Sequence, residues 1–448
     1  MVCSSSSLLS LVFAGLVAGA ASARPPVPAG ERTSATRVDV PHADRARAKP
    51  VSLEELLTFA DANAPRLAVI RSTRGIADAA HVAASPLLPA NPEISAGVGP
   101  RYGISGTGVD ADVSLSQRLY IAGERGRRRA AAKRFGELTE AEIDQVRWAV
   151  HCDVHAAFHR ALVMRERARL AERVLAFQED LLRVVQGQVN AGNVSPLMLR
   201  LAQAEVAQAR QALVGARQAL LVSRIQLAQL AGWPVKHPPD PRGALDVPTD
   251  PPPFETLVAT AQAHLPVLRT REAAIREADA RVAAARREVF PQPSLGVQYR
   301  HEGNPTAEGP YDIVLGTLAF TIPSFQTNQG ERAFARARVG VARAEQAATL
   351  ALLDGQIAQA QSEVAAAAQR VRSYGSEILP RFEENLGLLR RSFELGEIDM
   401  LSLLIGRERF LKIQSDALDT YLDYFVALAN LERIVGVELW TDHHVGGE

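Results

Sequence analysis

Apolar residues along this chain switch between two periods, and the whole sequence of switches occurs twice. Val51-Ser52-Leu53-Glu54-Glu55-Leu56-Leu57 opens a helix, with Ser52 placed as its N-cap and Glu55 at the capping-box position. The helix is predicted to run to about Ala84, broken or kinked at Pro65, and to end at Pro86, Pro89 and Pro92. The spacing then becomes alternate: Ile94, Ala96 and Val98, followed by Val109, Ala111, Val113 and Leu115. Gly103, Gly106 and Gly108 lie between them, so two strands, about 93–101 and 109–119, and a turn are predicted. Helical spacing resumes over Glu124–Gln188 without a proline, turns at Asn190-Ala191-Gly192-Asn193, and returns over Pro196–Leu230, where Pro196 suits a first helical turn.

The second half repeats this order. Strands are predicted at about 294–301 and 311–320, around Gly303-Asn304-Pro305 and Gly309-Pro310. A long helix over Gly330–Glu394 meets its first proline at Pro380, turns at Leu395-Gly396-Glu397, and returns over Met400–Val435. Landmarks match at a spacing of about 200 residues: Ala64-Pro65-Arg66-Leu67 with Leu265-Pro266-Val267-Leu268, and Leu230-Ala231-Gly232 with Ile434-Val435-Gly436. Solenoid repeats are far shorter, about 20–50 residues, so this is a duplication of one large unit. The halves, 51–233 and 254–438, are joined by 234–253, in which eight of twenty residues are Pro; this reads as an extended linker.

Helices of some 65 residues span on the order of 100 Å, wider than any globular core, and belong in coiled coils or helical tubes. Low aromatic content and abundant Ala suit such close-packed helices. Four short strands per chain cannot close a membrane barrel, and a barrel in lipid must close. Strands in a membrane would therefore be shared between subunits, twelve from three chains.

Composition and termini narrow the setting. The chain of 448 residues carries 50 acidic and 50 basic residues, so charge gives no case for nucleic acid. Residues 1–23 read as a secretory signal: Leu8–Ala21 is apolar and Ala21-Ser22-Ala23 fits a cleavage site, although no Lys or Arg precedes it. Residues 24–50 read as a flexible lead-in and 439–448 as a tail. Cleavage would leave Cys152 as the one cysteine, so no intrachain disulfide is expected, nor a transmembrane helix. No phosphate loop, nucleophile elbow or His-Glu-x-x-His pattern is present, so neither enzyme activity nor a cofactor is expected.

Certain segments carry a resemblance. Asn91-Pro92-Glu93-Ile94, Ser116-Gln117-Arg118-Leu119-Tyr120-Ile121-Ala122-Gly123-Glu124-Arg125-Gly126 and Ile322-Pro323-Ser324-Phe325-Gln326-Thr327-Asn328-Gln329-Gly330, set in duplicated halves, resemble the TolC-type outer-membrane efflux proteins. Within them these segments look most like the CzcC-type heavy-metal channels, with Arg118 where that group has Pro. The resemblance implies a mainly α chain with a small β part: a homotrimer whose twelve-stranded barrel lies in outer-membrane lipid above a helical periplasmic tunnel. It further implies that the tunnel tip docks a periplasmic adaptor fed by an inner-membrane pump of the RND type. Two other readings stay open, an exit duct for organic compounds or secreted protein and a soluble periplasmic coiled-coil adaptor.

Four groups of residues are candidates for function. The tip turns, with Gly192, Asn193, Val194, Ser195, Gly396, Glu397, Ile398 and Asp399, would meet the adaptor, although a plain helix–helix turn explains their glycines equally well. Where the resemblance places a tyrosine and an arginine that lock the tip, this chain has Phe393 and Ile398; acidic rings would fall on Ser402 and Ile405. Glu394, Glu397 and Asp399 could supply a substitute pore collar in threefold copy. His151, His155 and His159 form one helical stripe beside Cys152, a ligand set suited to Zn²⁺ or copper; the plainer reading is a wet polar face with Cys152 inside. Arg125, Arg127, Arg128, Arg129, Lys133 and Arg134 form a basic run where a strand becomes a helix, either solvated or facing acidic lipid. His443-His444 reads as tail.

Overall fold

The computed structural model describes residues 50–103, 106–192, 194–245, 248–303, 311–395 and 397–439. The signal, the lead-in up to residue 49, Asn193, Gly396, the Glu394 side chain, the 304–310 turn and His443-His444 lie outside the described residues. The first half comprises β1 (Pro50–Val51), α1 (Leu53–Asn63), α2 (Pro65–Ser72), α3 (Arg74–Ala83), β2 (Glu93–Gly103), β3 (Gly106–Arg118), α4 (Glu124–Asn190) and α5 (Pro196–Ala231). After β4 (Asp240–Pro241) come α6 (Phe254–His264), α7 (Pro266–Arg287), β5 (Ser294–Glu302), β6 (Tyr311–Ala319), α8 (Gln329–Ser373), a π-helical turn (Tyr374–Ile378), α9 (Leu379–Glu394) and α10 (Met400–Val435).

Local chemistry accounts for the helix boundaries. The capping box is complete: the Glu55 N–H donates to Ser52 Oγ at 3.2 Å, and the Ser52 N–H to Glu55 Oε2 at 3.1 Å. The expected helix to about Ala84, broken or kinked at Pro65, is three helices, with a second break beyond the expected one. Pro65 supplies one break, having no N–H to continue the ladder. Ser72 and Thr73 supply the other, each hydroxyl donating to a carbonyl three residues back, 2.6 Å to Val69 and 2.6 Å to Ile70. No such pair interrupts α7, which runs unbroken for 22 residues. The 67-residue α4 is continuous. Its counterpart shifts register through the π-turn just ahead of Pro380, where the wider turn accommodates a residue that cannot donate to Ser376 and would crowd its carbonyl.

Each half has its own apolar core. Leu56, Leu67, Val154, Phe158, Leu162 and Leu227 form one; Leu257, Leu268, Ile357, Val364, Phe425 and Leu431 form the other. Leu245 in the linker packs against both. The landmarks that betray the duplication meet each other in space. Gly232 ends α5 at φ 74, where an added Cβ would lie 2.1 Å from the Asn63 carbonyl oxygen, just before Pro65. Gly436 ends α10 at φ 84, where a Cβ would lie 2.6 Å from the Cα of Leu265, just before Pro266. Both sites demand a left-handed backbone and backbone-to-backbone contact, which glycine alone permits.

The Pro-rich linker is held in a distinctive way. Proline offers a carbonyl but no N–H, so side chains of the helices donate to it. Arg224 binds the Pro238 and Pro239 carbonyls at 2.8 Å each, Arg165 those of Pro241 and Gly243, and Gln361 that of Pro252 at 2.7 Å. A brief parallel pairing of β4 with β1 pins it to the start of the first half.

Substituting Ala at Gly232 or Gly436 is expected to cost about 1–2 kcal/mol from the left-handed backbone alone, and more from the contact. Thermal unfolding of the detergent-solubilised protein, comparing each variant with wild type, measures the loss.

Candidate channel wall and periplasmic tip

The strands form one antiparallel sheet in the order β2-β3-β5-β6, leaving β2 and β6 as unpaired edges. Its register separates two faces. Ile94, Val98, Val113, Leu115, Leu295, Val297, Val314 and Leu318 share one face and are all exposed. The opposite face carries Ser95, Arg101, Asp110, Asp112, Ser114, Gln298, Arg300 and Glu302, with β6 departing from strict alternation through Ile313 and Leu315. Apolar-out and polar-in is the signature of a lipid-bound barrel wall around an aqueous lumen. On the polar face Arg101 Nε lies 3.0 and 2.9 Å from the two Asp110 oxygens, Asp110 also accepts the Gly303 N–H at 3.0 Å, and Arg101 Nη2 lies 3.4 Å from Glu302. This cross-strand network ties the ends of both hairpins together.

The histidine stripe lies on a buried seam between α4 and α10, not on a wet face. His155 and His159 are 3% and 6% exposed, and Cys152 is fully buried. His155 Nδ1 is 2.9 Å from Glu432 Oε2, and the other Glu432 oxygen accepts the Leu439 N–H at 3.0 Å. Glu432 itself is 0% exposed. His151 Nε2 lies 2.7 Å from Glu438, off the line of a hydrogen bond, and the imidazole beside it holds the Glu438 carboxyl below its usual range. His159 stacks face to face on Phe425 at 3.9 Å. Rings continue along the seam through Trp148, His151, His155 and His159. Asp153 pairs with both Arg66 and Arg433.

No three His, Cys, Asp or Glu groups converge on a common point among the described residues. Burial and the nearby Glu432 push the Cys152 thiol up to about 12, far from the thiolate that binds metal. Burial, and then His155, lowers His159 well below its ordinary value, so a neutral imidazole sits in the stack.

At the turn that ends α4, Gly192 is left-handed at φ 75. Ser195 caps α5, accepting the Leu197 N–H at 3.3 Å, with Pro196 in the first turn. In the second turn the Glu397 N–H donates to the Ser392 carbonyl at 2.9 Å. Asp399 caps α10, accepting the Ser402 N–H at 2.9 Å, and that contact with Ser402 lowers its carboxyl. Both Glu397 and Asp399 are exposed, but Asp399 is engaged by the helix end. Above the tip, Arg407 of α10 lies with its guanidinium 3.4 Å over the Phe177 ring of α4 and donates to the Val174 carbonyl at 3.3 Å. It is 5% exposed, and burial lowers it to about 10.

Neither Arg407 nor Glu432 was among the sequence candidates. Each carries a recoverable signal, a charge set in the core phase of α10: Arg407 follows Leu403 by four and precedes Phe410 by three, and Glu432 follows Leu428 by four and precedes Val435 by three. The basic run divides. Arg125 donates to the Ser85 carbonyl, Arg128 to Glu288 and Tyr120, and Arg134 to Glu137. Arg127, Arg129 and Lys133 are exposed and make no ion pair among the described residues.

A two-faced strand sheet continued into helices on the order of 100 Å long defines the wall of an outer-membrane channel with a periplasmic tunnel. The chain belongs to the outer membrane efflux protein family, which it matches over residues 66–233 and 257–437. Members are channels, not enzymes; they are trimers and work with a periplasmic adaptor and an inner-membrane pump.

Among relatives, the cobalt-zinc-cadmium resistance protein CzcC of Cupriavidus metallidurans is 25% identical over 321 residues, 71% of this chain and 75% of that protein. The pyoverdine export outer membrane protein OpmQ of Pseudomonas putida is 23% identical over 418 residues, 86% of this chain and 85% of that protein. Solved structures share the fold. The CmeC outer membrane channel of Campylobacter jejuni has a TM-score of 0.68 at 13% identity, covering 86% of this chain and 85% of its own. CusC has 0.68 at 17%, covering 86% and 92%. The open-state MtrE channel of Neisseria gonorrhoeae has 0.66 at 19%, covering 86% and 89%. With the family established, the reading as a soluble adaptor falls away.

Two predictions come from the seam and the tip. The folded His159 value lies below the unfolded one of about 6.5, so protons bind the unfolded chain more readily. Stability present above about pH 6.5 is therefore lost as pH falls, by up to about 1.4 kcal/mol per unit for this group. His159→Phe keeps the ring on Phe425 and removes that share, while His151, His155, Glu432 and Glu438 remain in both proteins; unfolding midpoints across pH 5–8 measure the difference. A double-mutant cycle of Arg407→Met with Phe177→Leu is expected to return a coupling of about 1–2 kcal/mol in thermal unfolding, as for a desolvated cation–π pair.

Proposed function

We propose that this channel is the exit duct of a tripartite system, driven by an RND-type pump, that expels divalent heavy-metal cations such as Zn²⁺, Co²⁺ or Cd²⁺. The observation that carries this is the relationship to CzcC across 71% of the chain, together with the segments flanking the hairpins. The chain is a passive conduit: the pump supplies the energy and most of the selection. The adaptor docks on the two tip turns, at Gly192, Val194 and Ser195 and at Glu397, Ile398 and Asp399, with Asn193 and Gly396 completing them. Three copies of Glu397, reinforced by Glu394, set a negative collar at the tunnel mouth and raise the local concentration of cations. Asp399 contributes less, being engaged by the Ser402 N–H.

A second reading has its own support. The relationship to OpmQ, a pyoverdine export protein, is longer, 418 residues at 23% identity, and favours export of an organic compound through the same duct.

A deletion strain is expected to become hypersensitive to Zn²⁺, Co²⁺ or Cd²⁺ and to regain resistance on complementation. Hypersensitivity to organic toxins with indifference to metals overturns the cation assignment. Glu397→Gln is expected to lower metal resistance about two- to tenfold while the trimer remains intact, the range set by loss of a modest focusing field.

A further inference from the structure

The apolar surface does not stop where the strands stop. Leu87, Ile121, Phe290, Phe320, Ile322 and Phe325 surround the junction between strands and helices, and all are exposed, Phe325 by 89%. Such a collar is the aromatic girdle of an outer-membrane barrel at its inner-leaflet interface; we infer that the basic residues behind it form a lipid-binding belt that holds anionic phospholipid headgroups.

Register and length support the collar. Val98, Ala111, His301 and Asp312 lie in one row across the four strands, on the lipid-facing side. On β6 the apolar pattern ends outward at Asp312, where His301 Nδ1 and the Tyr299 hydroxyl contact the carboxylate at 2.7 and 2.8 Å. On β2 it continues four residues beyond the same row, to Tyr102. Strands tilted about 40° and spaced about 4.8 Å apart shift a row by roughly 9 Å along the membrane normal from first to fourth strand. Four residues at about 3.4 Å, with the same tilt, give roughly 10 Å. The two edges therefore mark one outer boundary, and a carboxylate facing hydrocarbon is avoided on both.

An apolar band about 25 Å tall, measured inward from Asp312 at that tilt, occupies about ten residues. It ends at Ile322, yet β6 ends at Ala319. The remainder of the band is supplied by Phe320 and Ile322, which continue the outward phase of Val314 and Leu318. Aromatic side chains suit that interface.

Charge supports the headgroups. The whole chain is neutral, but residues 124–134 carry six basic residues against Glu124 alone, and Glu124 is buried. Residues 329–338 add three basic residues against Glu331. Exposed Arg127, Arg129, Lys133, Arg286 and Arg336 have no ion-pair partner among the described residues. A cationic belt immediately behind an aromatic collar complements an anionic leaflet surface. The inference holds whichever cargo the channel carries.

The test uses full-length protein extracted in mild detergent and exposed to phosphatidylglycerol or phosphatidylcholine, with retained lipid per trimer read by native mass spectrometry. Retention of phosphatidylglycerol is expected to exceed that of phosphatidylcholine about fivefold at low salt, and to collapse at about 0.5 M salt. The variant R127Q/R129Q/K133Q/R336Q is expected to lose the preference without a change in oligomeric mass. Equal retention by wild type, or a preference that survives both high salt and the variant, overturns the headgroup assignment. A nitroxide at Phe325→Cys, in vesicles with one-third phosphatidylglycerol, tests the collar. Faster collision with oxygen than with a water-soluble nickel chelate supports lipid contact. Shielding from both means that a second copy covers the collar, and preference for the chelate means water; either overturns it.

Discussion

An unpaired strand edge cannot be left in hydrocarbon. Each backbone N–H or C=O without a partner there costs several kcal/mol, and this sheet of four strands has two open edges, β2 and β6. The rest of the architecture answers to that constraint. Edges of separate chains must pair, so the barrel is a property of the trimer, and the helices below must bring three sheets to the same height and orientation. A 67-residue helix and its counterpart, interrupted only by one π-turn, are rigid enough to do so.

Rigidity of the tunnel depends in turn on how the two halves of one chain are joined. Apolar packing holds each half together, but α4 and α10 also meet through polar contacts: His155 with Glu432, Asp153 with Arg433, and Arg407 over Phe177. Removing one member of a buried polar pair leaves the other unsatisfied, which is costly, so these contacts fix the register of α10 along α4 more sharply than interchangeable apolar contacts would. The seam places titratable groups in the middle of the wall and the cation–π contact nearer the tip, so the two ends of the seam answer to different conditions.

Much of the fold was legible in the sequence because the duplication shows each signal twice. Alternation at Ile94–Val98 and Leu295–Tyr299, the turns at Gly192 and Leu395, and the Ser52–Glu55 capping box all act over a few residues, where local rules hold. What the sequence hid depends on contacts between distant segments. Glycines 232 and 436 could be paired as landmarks, but not seen to touch the residues before Pro65 and Pro266. The His stripe was visible, but a stripe at four-residue spacing is the same whether it faces water, metal or a partner helix, and Glu432 lies 277 residues from His155. The Ser72-Thr73 break went unread because hydroxyls within a helical pattern are usually tolerated.

The proline strap between the halves has a consequence for assembly. Three chains must find one another through strand edges while other extended segments lie close by, and any of these with free donors and acceptors could mispair. Five of the strap's carbonyls, those of Pro238, Pro239, Pro241, Gly243 and Pro252, are already occupied by Arg224, Arg165 and Gln361 of its own chain, and its eight prolines have no donor to offer. It is therefore a poorer template for a searching edge than β2 and β6, whose unbroken ladders can zip together when three copies meet at the membrane.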